Sequence, residues 1–368
     1  MPFDPCDLFS DTYDEAVTKF EIAAAFRGVA IERWRNPRGG PSGEPLETLV
    51  CEIGPANAPN VLVLNTGTHG TEALAGSAIL TGLLTEADNL LAPDGEIRAL
   101  LIHIINPYGA AWSRYVNEDN VDLMKNLHYG DEVTPPDALF MAFDDMIDLA
   151  RLRGPDDMTS RLAARAAFVR THGQERLMAS LKKGQSDRPR SICFNGRGAT
   201  WSRKTLDRIL AEKTASARQI LYLDLHTGVG DYGDAYVIVG GDAASEGRVR
   251  SILGPQAHGS DLVTERPFYS SQAALVPQAQ FTAAMIEAGT VEFGEVFREA
   301  MLLEMHHHMY GDPLGPAALE NQRRFRSFYY PLSDDWRRLW WTNCRAVLGQ
   351  FVAGMRAWRS ERATPGPD

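Results

Sequence analysis

Four consecutive apolar residues, Val61-Leu62-Val63-Leu64, run into Asn65-Thr66-Gly67-Thr68-His69-Gly70-Thr71-Glu72, and a helical stretch from about 73 to 84 follows. A short apolar run without alternation reads as a strand covered on both faces. Such a strand is covered by a layer on each side. Leu100 to Ile105 repeats the pattern and is stopped by Asn106-Pro107; Ile220 to Leu225 repeats it again and is stopped by His226-Thr227-Gly228. Strands alternating with helices predict an α/β architecture with a mostly parallel sheet.

The remaining pattern fits this frame. Ser10 to Gly28 reads as a helix, Val29 to Arg35 and Leu46 to Ile53 as strands, and Tyr236 to Val239 and Thr290 to Phe293 as two more strands. Helical periodicity covers 138–151, 158–183, 205–214, 297–309 and about 334–359. The Arg- and Gly-rich stretch 188–203 reads as a long loop, and loops of that length often serve function. At 368 residues the chain suits one large α/β domain or two smaller ones, at about 150 residues each.

Composition narrows the function classes. There are 37 Lys and Arg against 48 Asp and Glu, a formal charge of −11, so a nucleic-acid role for the whole chain lacks its basic face. Cys6, Cys51, Cys193 and Cys344 form no close pair, which argues against a disulfide framework and against a thiolate zinc site. No apolar run approaches the roughly 18 residues of a membrane span. The first eleven residues carry three aspartates and no basic residue, unlike a signal peptide. The expectation is a cytoplasmic protein with no nucleic-acid and no membrane partner.

There are nine histidines, so their placement is informative. His69 and Glu72 lie across a strand-to-helix junction, and His226 follows another apolar strand directly. Glu292 lies near the end of a third predicted strand. Open α/β sheets gather ligands beyond the carboxyl ends of their strands. Two His and one carboxylate are a frequent catalytic zinc set. Each residue also has an ordinary reading: a chance His–x–x–Glu, a hydrogen-bonded core histidine. Glu292 beside an apolar strand is harder to explain, since burying an unpaired carboxylate costs several kcal/mol.

Thr68-His69-Gly70-Thr71-Glu72, Asp224-Leu225-His226-Thr227-Gly228 and Thr290-Val291-Glu292-Phe293-Gly294 together resemble the zinc carboxypeptidase clan. More narrowly, the chain resembles a bacterial branch of unknown function related to succinylglutamate desuccinylase and aspartoacylase. Asn106-Pro107-Tyr108-Gly109, Arg114, Asn120-Val121-Asp122-Leu123, Phe194-Asn195-Gly196 and Thr200-Trp201-Ser202 add to the likeness, which runs from about 10 to 355. It implies a three-layer α/β/α sandwich around a mixed, mostly parallel sheet, zinc-carboxypeptidase-like. The implied organisation is a single catalytic domain over 1–368 with a helical insertion at about 130–215. His69, Glu72 and His226 would hold one Zn²⁺ per chain. Glu292 would be the general base toward the attacking water, and Arg114 would stabilise the oxyanion.

One departure bears on substrate. Where the carboxypeptidase pattern has Asn-Arg after Val-Asp-Leu, this chain has Met124-Lys125. Lys125 keeps a charge for substrate binding but lacks the bidentate fork of arginine, and Met124 removes an amide. Arg188, Arg190, Arg197 and Arg203 are candidates to restore the contact. The expected activity is zinc-dependent hydrolysis of an amide bond in a small acyl-amino acid or short peptide. The alternatives are a true metallocarboxypeptidase and an inactive binding protein of the same fold. His306-His307-His308 is not expected to hold a metal, because neighbours on a helix point about 100° apart. His103 and Tyr269 are expected to be core residues, and His128 a pocket residue.

Overall fold

A computed structural model describes residues 3–85, 90–91, 95–152, 155–259 and 268–362. Eight strands form one sheet: β1 (Ile31–Gly39), β2 (Pro45–Ile53), β3 (Asn60–Thr66), β4 (Ile97–His103), β5 (Gln219–Thr227), β6 (Ala235–Gly240), β7 (Ala257–His258) and β8 (Gln280–Ala288). Their order is β1-β2-β4-β3-β5-β8-β6-β7. The central four, β4-β3-β5-β8, are parallel, while β1, β2 and β6 run antiparallel to their inner neighbours.

The helices in chain order begin with α1 (Tyr13–Arg27), α2 (Ala73–Thr85), α3 (Pro107–Ala111), α4 (Leu123–Tyr129), α5 (Ala138–Ile147), α6 (Pro155–His172) and α7 (Gln174–Lys183). They continue with α8 (Trp201–Lys213), α9 (Ala243–Leu253), α10 (Ser270–Leu275), α11 (Glu295–Tyr310), α12 (Pro316–Ser327) and α13 (Asp334–Arg362). None of the described helices is long and apolar enough to cross a membrane.

The apolar runs have the physical consequence expected of them. Alternate residues of one strand feed two separate cores. Leu62 and Leu64 of β3, with Leu221, Leu223 and Leu225 of β5, pack under α1, α2, α9 and α13. Val61, Val63, Ile220 and Tyr222 face the other way, under α4 and α8. The result is a sheet between two helical layers, the three-layer sandwich anticipated from the strands. The aromatic stretch before and into α13 is largely core. Trp336 and Trp340 are fully buried, and their indole N–H groups donate to the carbonyls of Gly289 and Ala75 at 2.8 and 3.2 Å.

Three local expectations change. The strand expected at Thr290–Phe293 is irregular chain; the strand is β8, ending at Ala288. The alternating contacts of Phe281 to Ile286 supply both cores, and Gly289 then passes so close to the backbone of Asp231 that no side chain fits there. The helix expected over 158–183 breaks at Gly173, whose φ of +88° ends the helical path between α6 and α7. The helices standing away from the sheet are α5 to α7, whose Phe140, Phe143, Ile147 and Leu177 pack with Leu302 and Met305 of α11. Helix α8, inside the expected insertion, instead sends Leu206, Ile209 and Leu210 into the sheet core.

His103 is a core residue. Its Nε2 is 2.8 Å from Ser77 Oγ, and its ring stacks on Phe20 at 4.2 Å. Burial alone lowers its pKa to about 3. The unfolded chain therefore takes up a proton near pH 6.5 that the folded chain refuses, so stability falls as pH drops. Between pH 7 and pH 5 this residue is expected to cost about 2 kcal/mol. Urea unfolding at both values should show a smaller loss in His103→Gln, and an equal loss would refute the assignment.

Candidate metal centre

Two parallel neighbours, β3 and β5, end side by side, with Asn65 opposite Asp224 and Thr66 opposite Leu225. Beyond β3, Gly67 takes a positive φ of +77° and turns the chain so that His69 precedes a tight turn, Gly70–Glu72, that feeds α2. The backbone of Gly109 lies where a side chain on Gly70 would be, and the Gly70 N–H donates to the Tyr115 carbonyl at 3.3 Å. His69 and Glu72 are thereby held against the end of β5. Along β5, Ile220, Tyr222, Asp224 and His226 share one face, so the face that is apolar core in mid-strand becomes polar at the strand end.

Glu72 stands between the two imidazoles. Its Oε1 is 2.9 Å from His69 Nδ1 and its Oε2 is 3.0 Å from His226 Nδ1, and Oε2 also accepts the Thr227 N–H at 3.1 Å. Ligand atoms of the three residues lie within 4.8 Å of one another, and all three side chains are buried. Each imidazole has a carboxylate behind it: His69 Nε2 is 3.6 Å from Asp122 Oδ1, and His226 Nε2 is 3.0 Å from Asp224 Oδ2. Asp224 is itself fixed, accepting from Asn65 Nδ2 at 2.8 Å, Thr68 Oγ1 at 3.0 Å and Tyr269 O–H at 3.3 Å. Asp122 is held by the Lys125 ammonium. Tyr115 stacks on the His69 ring at 3.8 Å.

The donor set fits a zinc ion. Two imidazoles present the same ring nitrogen to one carboxylate, and each opposite nitrogen faces a second carboxylate, the arrangement that orients zinc-bound histidines. Without a cation the same geometry draws protons. Burial opposes the charged form of both histidines, but Glu72 with Asp122 at His69, and Asp224 with Glu72 at His226, overcome it and raise both pKa values. Burial would likewise raise Glu72, yet His69 and His226 hold it down at about 2. A buried centre in which three carboxylates, Glu72, Asp122 and Asp224, draw in positive charge is suited to a divalent cation.

The cavity in front of this centre measures about 400 Å³ and is bordered by Asp122, Met124, Lys125, His128, Phe268 and Glu287, among others. Lys125 and His128 both border this cavity. Glu292 is not brought here: it is exposed, beyond the end of β8, and does not border the cavity. The carboxylate at that place is Glu287, register partner of His226 in the β5–β8 pair. Its Oε2 is buried without a hydrogen-bond partner. Burial pushes its pKa up to about 7; the imidazoles pull it down and the Glu72 charge pushes it up further. The missed signal was a Glu inside the apolar run Ala283-Ala284-Met285-Ile286-Glu287-Ala288.

Arg114 is not brought to the cavity either. It is fully buried and spends its three nitrogens on Glu304 Oε1 at 2.8 Å, Asn120 Oδ1 at 3.2 Å and the Asn117 carbonyl at 3.4 Å. The loop arginines also have partners of their own. Arg188 pairs with Asp144 and Asp145, and Arg203 with Asp131. Arg190 donates to the Met309 carbonyl, and Arg197 to those of Ser186 and Asp187. In the histidine triplet, His306 bonds the Leu149 carbonyl and His308 pairs with the Tyr108 hydroxyl, as suits residues on different helix faces.

The fold and site define a class: a mixed α/β sandwich with a candidate mononuclear metal centre at the carboxyl edge of its parallel strands. The chain belongs to the family described as protein of unknown function (DUF2817), whose model matches residues 9–343. No curated protein matches it at a significant level. Similar solved structures include carboxypeptidase A from Helicoverpa armigera, at 14% identity, covering 86% of this chain and 73% of that one, with a TM-score of 0.43. Murein-tripeptide amidase from Escherichia coli O157 is 12% identical, with coverages of 79% and 97% and a TM-score of 0.37. A metallo-carboxypeptidase from Burkholderia cenocepacia is 11% identical, with coverages of 94% and 69% and a TM-score of 0.39.

Two outcomes follow from this geometry. Asp224→Asn is expected to weaken zinc binding about ten- to a hundredfold, because the His226 ring loses its orienting carboxylate; titration against a chelator reads this, and unchanged affinity would remove Asp224 from the site. Arg114→Met is expected to cost about 3–5 kcal/mol by leaving Glu304 charged and alone in the interior. Adding Glu304→Gln should recover much of that loss in urea unfolding; no recovery would mean that Arg114 acts through packing.

Proposed function

We propose that the protein is a zinc-dependent hydrolase that cleaves the amide bond of a small acyl-amino acid or short peptide. The observation that carries the reading is Glu287. It is a buried carboxylate with one free oxygen and a pKa near 7, aligned with His226 on the wall of the same cavity. A group that changes protonation near neutral pH is suited to proton transfer.

His69, Glu72 and His226 would hold the ion. Zinc in such a site acts as a Lewis acid and makes water a nucleophile near neutral pH. The chain's own residues supply the rest. Glu287 takes a proton from the water that attacks the amide carbon and returns it to the nitrogen as the C–N bond breaks, leaving an acid and an amine. Asp122 and Asp224 keep the imidazoles oriented. Lys125 offers the substrate one cation, positioned by its bond to Asp122. Arg114 acts at a distance, fixing the segment that carries Tyr115 against His69.

The wall of the cavity favours this reading over a true metallocarboxypeptidase. No arginine is among the described residues that border it, so none of those residues offers a bidentate grip on a terminal carboxylate. Glu287→Gln is expected to retain about one zinc per chain while turnover of an N-acyl amino acid falls about 10²–10⁴-fold. Glu292→Gln should match wild type in both. Full turnover in Glu287→Gln would overturn the assignment of the base. A panel of N-acyl amino acids beside free and C-terminally blocked peptides separates the two activities.

A further inference from the structure

A second cavity of about 340 Å³ adjoins the metal centre and shares Tyr115, Asp122, Lys125 and Lys182 with it. Helices α5, α6, α7, α11 and α12 supply its far walls, none of which belongs to the sheet. Phe143, Met178, Phe293, Phe297, Met301 and Phe325 make those walls apolar. Enclosed apolar space beside polar groups is the usual form of a small-molecule site.

Two half-buried arginines also border this cavity, Arg165 of α6 and Arg298 of α11. Other charged groups there are neutralised or exposed: Asp122 by Lys125, Glu304 by Arg114, with Lys182 open to solvent. Arg165 and Arg298 form no ion pair with any described carboxylate. Burial, and then the charge of Arg298, lower the Arg165 pKa, against a smaller opposing effect of Glu295. Two cations held near each other against an apolar wall favour an incoming anion.

The geometry points to this chamber as the binding site for the apolar portion of the substrate, with a carboxylate at its far end received by Arg165 and Arg298. The substrate class is then an amphiphilic acid, its scissile amide at the metal centre and its apolar chain between α5, α7 and α11. The position of the amide rests on the hydrolase reading; the binding of chain and carboxylate does not.

Octanoate and octanamide are suitable probes, titrated by calorimetry into the metal-free and the zinc-loaded protein. Octanoate is expected to bind both forms. Arg165→Gln with Arg298→Gln should weaken octanoate about tenfold or more and leave octanamide unchanged, because only a charge-assisted contact is lost. Met301→Trp, which fills the chamber, should weaken both probes. Octanoate binding that survives the double arginine variant, or that requires zinc, would overturn the proposal, the latter by placing the carboxylate on the metal. If Met301→Trp does not fold, the arginine pair decides alone, with octanamide as its control. Octanoate binding with no turnover of any acylated substrate would instead count against the hydrolase reading alone.

Discussion

One carboxylate shared by two imidazoles organises the centre of this molecule. Glu72 reaches His69 through a single turn of chain and His226 across the joint between two parallel strands. That sharing depends on β3 and β5 being immediate neighbours, with β3 ending opposite Leu225, the residue before His226. The close passage of Gly70 over Gly109, the bond from Thr227 to Glu72 and the cage around Asp224 all serve that alignment. A buried group of this kind is costly unless its charges are compensated. Here compensation comes in layers: carboxylate, imidazole, carboxylate, then amide, hydroxyl or ammonium.

The two cavities divide the remaining work. The one before the candidate metal centre is bordered mainly by sheet residues, by α4 and by the loops beside them. The other is bordered mainly by helices that stand off the sheet, and Arg165 and Arg298 border it without an ion pair among the described residues.

Much of the fold was legible because covered strands have a local signature. Val61 to Leu64 is apolar at every position, Leu100 to Ile105 and Ile220 to Leu225 at all but His103 and Asp224, and each feeds two cores. His69, Glu72 and His226 were legible for a related reason, lying where such strands end. Glu292 is the acidic residue that the sequence pattern points to, because the expected strand at Thr290–Phe293 lies a few residues beyond β8, which ends at Ala288. In a chain of short apolar segments, strand ends depend on which backbone passes nearby, and here the approach of Asp231 to Gly289 sets the end. Arg114 matched its motif in order along the chain, but the sequence held no sign that Glu304, far along it, would claim its guanidinium.

By itself, then, the sequence determined the layered architecture and three of the residues that meet at the centre. These follow from local pattern, since burial on both faces and the turn after a strand are written in adjacent residues. Only the tertiary structure decided which fourth carboxylate faces the imidazoles, which arginine is locked away and which pair is left open. Those outcomes depend on strand register and helix packing between segments far apart in sequence, where a shift of one residue turns a side chain to the opposite face.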